Sequence, residues 1–151
     1  MCAHKVSLRK HSLIYKCFLL SLAFLLCGIV TAADFPPPKP GRPAPDFSLP
    51  DTGGNIIGLD SLRGQDVLLV FGSPTCPHCA ARVELLNELD PEEFKVVFVM
   101  LKSTAKQAQT FITDKKVDFL VLLDITGKIG KTYAVQRVPE IFHIDPDGII
   151  Q

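Results

Sequence analysis

The stretch VFGSPTCPHCAARVELL, residues 70–86, places two cysteines close together where an apolar run meets a helical pattern. The run that leads into it, residues 66–72, is short and almost wholly apolar, which is typical of a strand buried on both faces. Residues 80–89 then carry apolar side chains at helical spacing. Cys76 and Cys79 are therefore predicted to lie at the junction between a buried strand and the start of a helix.

Strand and helix patterns alternate along the rest of the chain. We predict a strand at 94–101, a helix at 103–116, a strand at 118–124, a short helix or turn at 126–135, a strand at 140–145 and the start of another at 149–151. An Asp-Thr-Gly-Gly-Asn turn between two apolar pieces predicts a hairpin within residues 46–59. Because parallel neighbours need crossover connections, the alternation predicts an α/β fold with a mixed, mostly parallel sheet flanked by helices.

The helix predicted at 103–116 has a candidate start and a candidate buried face. Ser103 is a residue type that caps helix N-termini, so we place the N-cap there. The apolar side chains predicted to share one face are Ala105, Ala108, Phe111 and Ile112. That face is expected to pack against the sheet.

The first 33 residues have the organisation of a targeting segment. A basic stretch precedes an uncharged run at residues 17–30, and small residues follow before Asp34, as in a secretory signal peptide. We predict export with cleavage after Ala32 or Ala33, the alternative being retention as an N-terminal membrane anchor. The expected location is periplasmic or otherwise extracytoplasmic, in the second case anchored to the inner membrane.

The remaining chain divides into a linker and one domain. Residues 34–45 are rich in proline, which favours an extended polyproline II spacer, and residues 46–151 are long enough for a single core. After residue 33 the chain has 12 basic and 16 acidic residues, a net charge of −4. This balance gives no electrostatic reason to expect a nucleic-acid partner.

The position of the cysteine pair predicts redox chemistry. Cys76, at a helix start, faces unpaired backbone N–H groups and the positive end of the helix dipole, which favour a thiolate. Cys79, one turn later, is close enough to attack a mixed disulfide on Cys76 and release the substrate. Pro77 suits the first helical turn, and a protonated His78 would add a cation beside the sulfur. The pair is therefore predicted to exchange disulfides with other proteins.

Other interpretations of the pair remain open at this stage. Two buried, inert thiols are one alternative, and a zinc half-site is another, although zinc needs two more ligands. The exported part of the chain offers His78 and His143 as its histidines and has no further cysteine. His78 is equally compatible with a side chain that points into solvent. We expect no metal and no cofactor.

Two longer stretches resemble a known family. Residues 44–79, which end in CPHC, and residues 133–150, YAVQRVPEIFHIDPDGII, resemble the TlpA/ResA-like branch of the thioredoxin superfamily, exported thiol-disulfide oxidoreductases with a redoxin-type fold. The resemblance implies that Cys76 is the nucleophile and Cys79 the resolving thiol. It also implies a cis peptide bond at Val138-Pro139 in the loop that faces them, a trans turn being the alternative.

The resemblance extends to substrates and partners. The backbone of Val138, which precedes Pro139, is expected to pair with an extended substrate chain, and Thr75, where relatives often carry tryptophan, is expected to leave the site less walled. Substrates would be thiols and disulfides of exported proteins, in cytochrome c maturation or in disulfide formation. A membrane or periplasmic redox partner would reset the dithiol.

Departures from the family pattern bear on the direction of electron flow. Arg82 stands where reductants of cytochrome c precursors often have a glutamate, although Glu84 is near, and Val70 replaces the buried acid of ordinary thioredoxins. CPHC with Val138 before the proline resembles a DsbA-type oxidant, whereas the VPE sequence resembles cytochrome c maturation reductants. Because a stabilised thiolate favours the reduced form, we predict a somewhat oxidising pair.

A further departure concerns the end of the sequence. The family normally continues after DPDGII with the rest of a strand and a C-terminal helix. This sequence stops at Gln151. We therefore expect either a truncated fragment or a domain in which one sheet face is left partly bare.

Two rival functions share the expected fold. A peroxiredoxin would have Thr or Ser three residues before the reactive cysteine, which Ser73 satisfies, and a proline seven residues before it, where this chain has Leu69. A copper chaperone of the SCO type needs a CxxxC spacing and a distal histidine. Here the spacing is one residue short, and His143 lies several residues too late.

Overall fold

The computed structural model describes residues 37–151, so the predicted targeting segment and the first part of the linker lie outside it. The elements in chain order are β1 (Ser48–Pro50), β2 (Ile56–Gly58), a 3-10 helix (Leu59–Leu62), β3 (Asp66–Gly72), α1 (Pro77–Asn87), β4 (Phe94–Leu101), α2 (Ala105–Lys115), β5 (Leu120–Asp124), α3 (Lys128–Thr132) and β6 (Glu140–Ile144). No helix among these residues is long and apolar enough to cross a membrane.

The main sheet has four strands in the order β5-β4-β3-β6, and β1 and β2 form a separate antiparallel hairpin. β3, β4 and β5 are parallel, whereas β6 runs antiparallel to β3. The mixed, mostly parallel sheet and the N-terminal hairpin predicted from the sequence are thus confirmed. The carboxyl ends of the three parallel strands and the amino end of β6 consequently meet at one edge of the sheet.

Each face of the sheet is covered by a different set of elements. α1 and α2 pack on one face, where Val83 and Phe111 belong to the same buried cluster as Val70 and Phe98. The hairpin, the 3-10 helix and α3 cover the other face, in a cluster that includes Tyr133. Because residues alternate along each strand, neighbours such as Val70 and Phe71 serve opposite faces.

The sheet face that packs against α1 and α2 is not fully covered at β6. Ile141, which pairs with Val70, is 41% exposed. Further along the strand, Nε2 of His143 lies 2.6 Å from Oδ1 of Asp66, and both side chains are partly exposed. No helix follows β6 within residues 37–151.

The helix α2 corrects two details of the sequence prediction. Its N-cap is Thr104, whose hydroxyl accepts from the N–H of Gln107 while the Gln107 side chain accepts from the N–H of Thr104. Ser103, the predicted cap, is buried, and its hydroxyl donates to the carbonyl of Leu101 instead. Ala105, the first residue of the helix, is exposed rather than part of the packed face.

The end of the described chain pairs with the predicted linker. The N–H of Gly41 donates to the carbonyl of Ile150 (2.7 Å), and the N–H of Ile150 donates to the carbonyl of Arg42 (2.9 Å). Ile149 and Ile150 make isolated bridges, to Pro43 and to Ile144 of β6, and not the predicted strand. The part of residues 34–45 that can act as a free spacer therefore ends before Gly41.

Gly72 is a point of close approach at the end of β3. A Cβ atom placed there would collide with the ring of Phe98 on the adjacent strand. The ring belongs to the buried cluster beneath α1 and α2, so it has little room to move. Glycine at this position lets the core ring sit against the strand just before the loop that carries Cys76.

We expect Gly72→Ala to destabilise the protein by about 1–3 kcal/mol, the usual cost of an added methyl group in a packed core. Urea denaturation would measure the change. Adding Phe98→Leu should recover part of the loss, because the smaller side chain makes room for the methyl group. Wild-type stability for Gly72→Ala alone would contradict the steric argument.

Candidate active site

Cys76 lies where β3 gives way to α1, at the carboxyl edge of the parallel strands. It is the N-cap of α1, with an extended backbone (φ −89°, ψ 114°), and Pro77 follows in the first turn. The N–H of Cys76 donates to the carbonyl of Ser73 (3.2 Å), which closes the short loop between strand and helix. The sequence predicted this junction, although α1 begins three residues before the apolar helical pattern does.

The sulfur of Cys76 takes the place of an ordinary capping oxygen. The N–H of Cys79 donates to Sγ of Cys76 (3.3 Å) and also to the Cys76 carbonyl (3.1 Å). A backbone donor is thus aimed directly at this sulfur. The cap of the helix and the reactive atom are thus the same atom.

The loop before β6 faces the same sulfur. The Val138–Pro139 peptide bond is cis, as expected from the family resemblance. The thiol of Cys76 lies 3.7 Å from the carbonyl oxygen of Val138, to which it donates. Glu140 accepts a hydrogen bond from the N–H of Gln136 (3.2 Å), which ties the two ends of this loop together.

Cys76 and Cys79 differ in their access to solvent. Both are free thiols; Cys76 is half-buried, whereas Cys79 is buried in the apolar cluster that contains Val70 and Val83. Burial, with a contribution from the hydrogen bond to Cys76, raises the pKa of Cys79 to about 12. Reagents and substrates can therefore reach Cys76 first.

The remaining predicted residues lie around this centre. Thr75 is exposed, and its hydroxyl lies 3.1 Å from that of Ser73. His78 is exposed on the first turn of α1 and makes no side-chain hydrogen bond or ion pair within the described residues. His143 is not part of the site, because it is held by Asp66.

Buried carboxylates are scarce in the described part of the chain. Asp124 is the one buried acid there, and its Oδ2 accepts from the N–H of Gly130 (2.9 Å), so it serves the start of α3. No group of three or more His, Cys, Asp or Glu side chains close enough to hold a metal occurs within residues 37–151.

Sequence reasoning missed two supporting residues. Ser73 and Glu140 position the loops on either side of Cys76 through contacts that span a few residues. The sequence draws attention to Ser73 only as part of a peroxiredoxin motif. Because Ser73 holds the N–H of Cys76 through its backbone carbonyl, its residue type gives no signal for this role, and Glu140 gives none either.

The chain has a thioredoxin-like fold with a dithiol at the start of a helix. These two features define the class of protein to which it belongs. The AhpC/TSA family model matches residues 40–151. The chain therefore belongs to the AhpC/TSA family.

Relatives of the chain are thiol-disulfide enzymes. ResA, a thiol-disulfide oxidoreductase of Bacillus cereus, is 29% identical over 93% of this chain and 86% of its own length. The thiol:disulfide interchange protein DsbE of Escherichia coli is 33% identical over 74% of this chain, which spans 62% of that protein. A crystal structure described as a DsbE-type protein from Chlorobium tepidum has a TM-score of 0.70 and 29% identity, over 75% of this chain and 82% of the other. We assign the chain to the thiol-disulfide oxidoreductases as a class of enzyme.

The raised pKa of Cys79 predicts how the stability of the reduced protein depends on pH. In the unfolded chain Cys79 ionises near its ordinary pKa of 9.0, whereas in the folded protein it keeps its proton up to about pH 12. The unfolded state therefore binds fewer protons above pH 9, and the free energy of unfolding falls as pH rises. The slope from this group approaches about 1.4 kcal/mol per pH unit.

Denaturation of the reduced protein between about pH 8 and about pH 11 would test this. The free energy of unfolding of Cys79→Ala should fall less steeply over that pH range, since this variant lacks the titrating thiol. Tyr133, whose pKa burial also raises, is present in both proteins and cancels in the comparison. Identical slopes for the two proteins would contradict the prediction.

Proposed function

We propose that the protein exchanges thiols and disulfides with other exported proteins through Cys76 and Cys79. One observation carries the proposal. The accessible sulfur of Cys76 lies between the N–H of Cys79 and the carbonyl of Val138, with the second thiol buried behind it. The accessible sulfur can meet a substrate, and the buried one can attack only what is bound to the first.

The exchange has two steps when the dithiol acts as reductant. The Cys76 thiolate attacks one sulfur of a substrate disulfide; that S–S bond breaks, a mixed disulfide forms, and the first substrate thiolate leaves and takes up a proton. Cys79 then loses its proton and attacks Cys76, which releases the second substrate thiol and forms the Cys76–Cys79 disulfide. Two electrons pass to the substrate, and the reverse sequence oxidises a substrate dithiol.

Backbone pairing with Val138 is the proposed means of holding the substrate. Its carbonyl lies beside Sγ of Cys76, so a chain that paired with Val138 would place its own cysteine near the nucleophile. Main-chain hydrogen bonds of this kind tolerate many sequences. Thr75, exposed next to Cys76 in the chain, would form the opposite wall.

The proposed location is outside the cytoplasm. Support comes from residues 1–33, whose basic, apolar and small-residue pattern is that of a signal peptide or an N-terminal anchor. The names of the relatives, a thiol-disulfide oxidoreductase and a thiol:disulfide interchange protein, support thiol-disulfide exchange, and the resemblance to the TlpA/ResA-like branch favours a role in cytochrome c maturation or in disulfide formation. A second protein dithiol or disulfide at that location would reset the pair.

Substitution of each cysteine tests the order of attack. Cys76→Ser should lower the rate of reduction of a disulfide peptide by at least about a thousandfold, since the nucleophile is lost. Cys79→Ser should keep the first step and accumulate the mixed disulfide with the peptide, which mass spectrometry would detect. Accumulation in Cys76→Ser and not in Cys79→Ser would reverse the assignment. Peroxide consumption faster than disulfide exchange would favour a peroxidase.

The reduction potential of the Cys76–Cys79 pair is proposed to lie in a somewhat oxidising range. The start of α1 directs a backbone donor at Sγ of Cys76, and a reduced form stabilised by this contact would make the disulfide a better oxidant. Equilibration with glutathione buffers should then give a reduction potential above that of thioredoxin, which is about −270 mV. A value at or below that of thioredoxin would contradict this poise while leaving the exchange reaction itself intact.

A further inference from the structure

A cleft beside the active site extends away from Cys76 along α2. Its volume is about 290 Å³, and its wall nearest the site is Pro74 and Thr75, which directly precede the nucleophile. The opposite wall is the exposed side of α2, from Lys106 to Lys115. The cleft therefore begins at the residue that flanks the reactive sulfur.

The lining of the cleft combines an apolar floor with a polar rim. Phe111, which is almost fully buried, and Pro74 supply apolar surface at the bottom. Lys106, Thr110 and Lys115 are exposed around it. Such a combination suits a segment that alternates apolar and polar side chains, as an extended chain does.

The dimensions fit a short extended segment. α2 has 11 residues, which at about 1.5 Å per residue corresponds to a length of about 16 Å. The part of α2 that lines the cleft runs from Lys106 to Lys115, and since an extended chain rises by about 3.3 Å per residue, this part matches about four residues of a partner chain.

The cations on the rim are free to meet a ligand. Neither Lys106 nor Lys115 forms an ion pair within the described residues, where the one such contact joins His143 and Asp66. Asp114 is the single acid that lines the cleft, so its rim carries a net positive charge. This charge would attract the carboxylates of an acidic segment.

The balance of exposed charge differs between the two edges of the sheet. In the loops and first helical turns that follow β4 and β5, and in the loop that precedes β6, the exposed charged residues are cations: Lys102, Lys106, Lys128 and Arg137. Asp46 is an exposed acid beside Lys128. The loops at the opposite edge carry the exposed acids Asp90, Glu92, Glu93, Asp118 and Asp147 together with the exposed cations Arg63 and Lys116. In a chain with 12 basic and 16 acidic residues after residue 33, the loops at the edge that carries the nucleophile therefore have an excess of exposed cations.

We propose that this cleft is a substrate subsite, and that it binds an extended, acidic segment of the substrate protein next to the cysteine that reacts with Cys76. Apolar side chains of the segment contact Phe111 and Pro74, and its carboxylates face Lys106. Val138 and the cleft then hold the substrate on the two sides of Cys76. The inference rests on the proposed exchange reaction and adds its preference for substrate.

Two peptides of equal length test the preference. Each has one intramolecular disulfide and leucines at the same positions, and the flanking charged residues are all glutamate in one peptide and all lysine in the other. The second-order rate constant for reduction by the reduced full-length protein is measured for both, and for neutral hydroxyethyl disulfide. The acidic peptide should react at least about fivefold faster than the basic one, as about 1 kcal/mol of surface attraction allows.

Charge reversal in the cleft should remove this preference. Lys106→Glu should slow the acidic peptide by about fivefold and leave hydroxyethyl disulfide unchanged, while Lys106→Gln gives an intermediate rate. Both variants should fold, because Lys106 is exposed, and the acid in Lys106→Glu is favourable in the first turn of a helix. Lys39→Glu, the matched control, makes the same charge change at an exposed position in the segment that precedes the hairpin and should leave the preference intact.

Salt provides a second readout. The advantage of the acidic peptide should shrink between about 0.1 M and 1 M salt, as the screening length falls from about 10 Å to about 3 Å. Equal rates for the two wild-type reactions, or a loss in Lys39→Glu as large as in Lys106→Glu, would overturn the subsite. Failure of the wild-type protein to reduce hydroxyethyl disulfide and both peptides would instead overturn the exchange reaction.

Discussion

The hydrogen bond from the N–H of Cys79 to the sulfur of Cys76 is the interaction on which the site depends. It ends the loop after β3, starts α1 and orients the nucleophile in a single contact. Most helices use a hydroxyl or carboxylate oxygen for this purpose. Here a thiol takes that place, so a backbone N–H at the helix start is aimed at the sulfur that reacts. The same contact therefore serves both the folding of the helix and the chemistry of the site.

The two sulfur atoms then acquire different roles from their surroundings. Cys76 keeps one side open toward solvent and the other toward the Val138 carbonyl, whereas Cys79 points into the cluster beneath α1. Val70, where ordinary thioredoxins have an acid, belongs to that cluster as an apolar side chain. The buried thiol is therefore surrounded by groups that oppose its ionisation, which keeps it from competing with Cys76 as the first nucleophile.

The sequence was sufficient to predict the elements whose signals are local. β3 and β4 were predicted with their observed bounds, because buried central strands appear as continuous apolar runs. The predicted start of α2 is wrong by one residue, since Ser103 and Thr104 are both good capping residues. The signal that distinguishes them is Gln107, which stands three residues after Thr104 and completes a capping box.

Features that depend on distant partners were harder to predict. The backbone hydrogen bonds of Ile150 reach back to Gly41 and Arg42 in the linker, and the cleft exists only where α2 packs beside the loop that contains Thr75, so no local pattern specifies either one.

The reversed direction of β6 explains why these distant parts meet. In a sheet of parallel strands the carboxyl ends share one edge, and the loops after β3 and β4 bring Cys76 and the start of α2 to it. β6 is antiparallel to β3, so it is the loop before this strand, and not the loop after it, that reaches the same edge. A parallel β6 would have carried Val138 to the opposite end of the sheet, where the loops hold several exposed acids. One change of strand direction thus places the Val138 backbone, the nucleophile and the cations on a common surface.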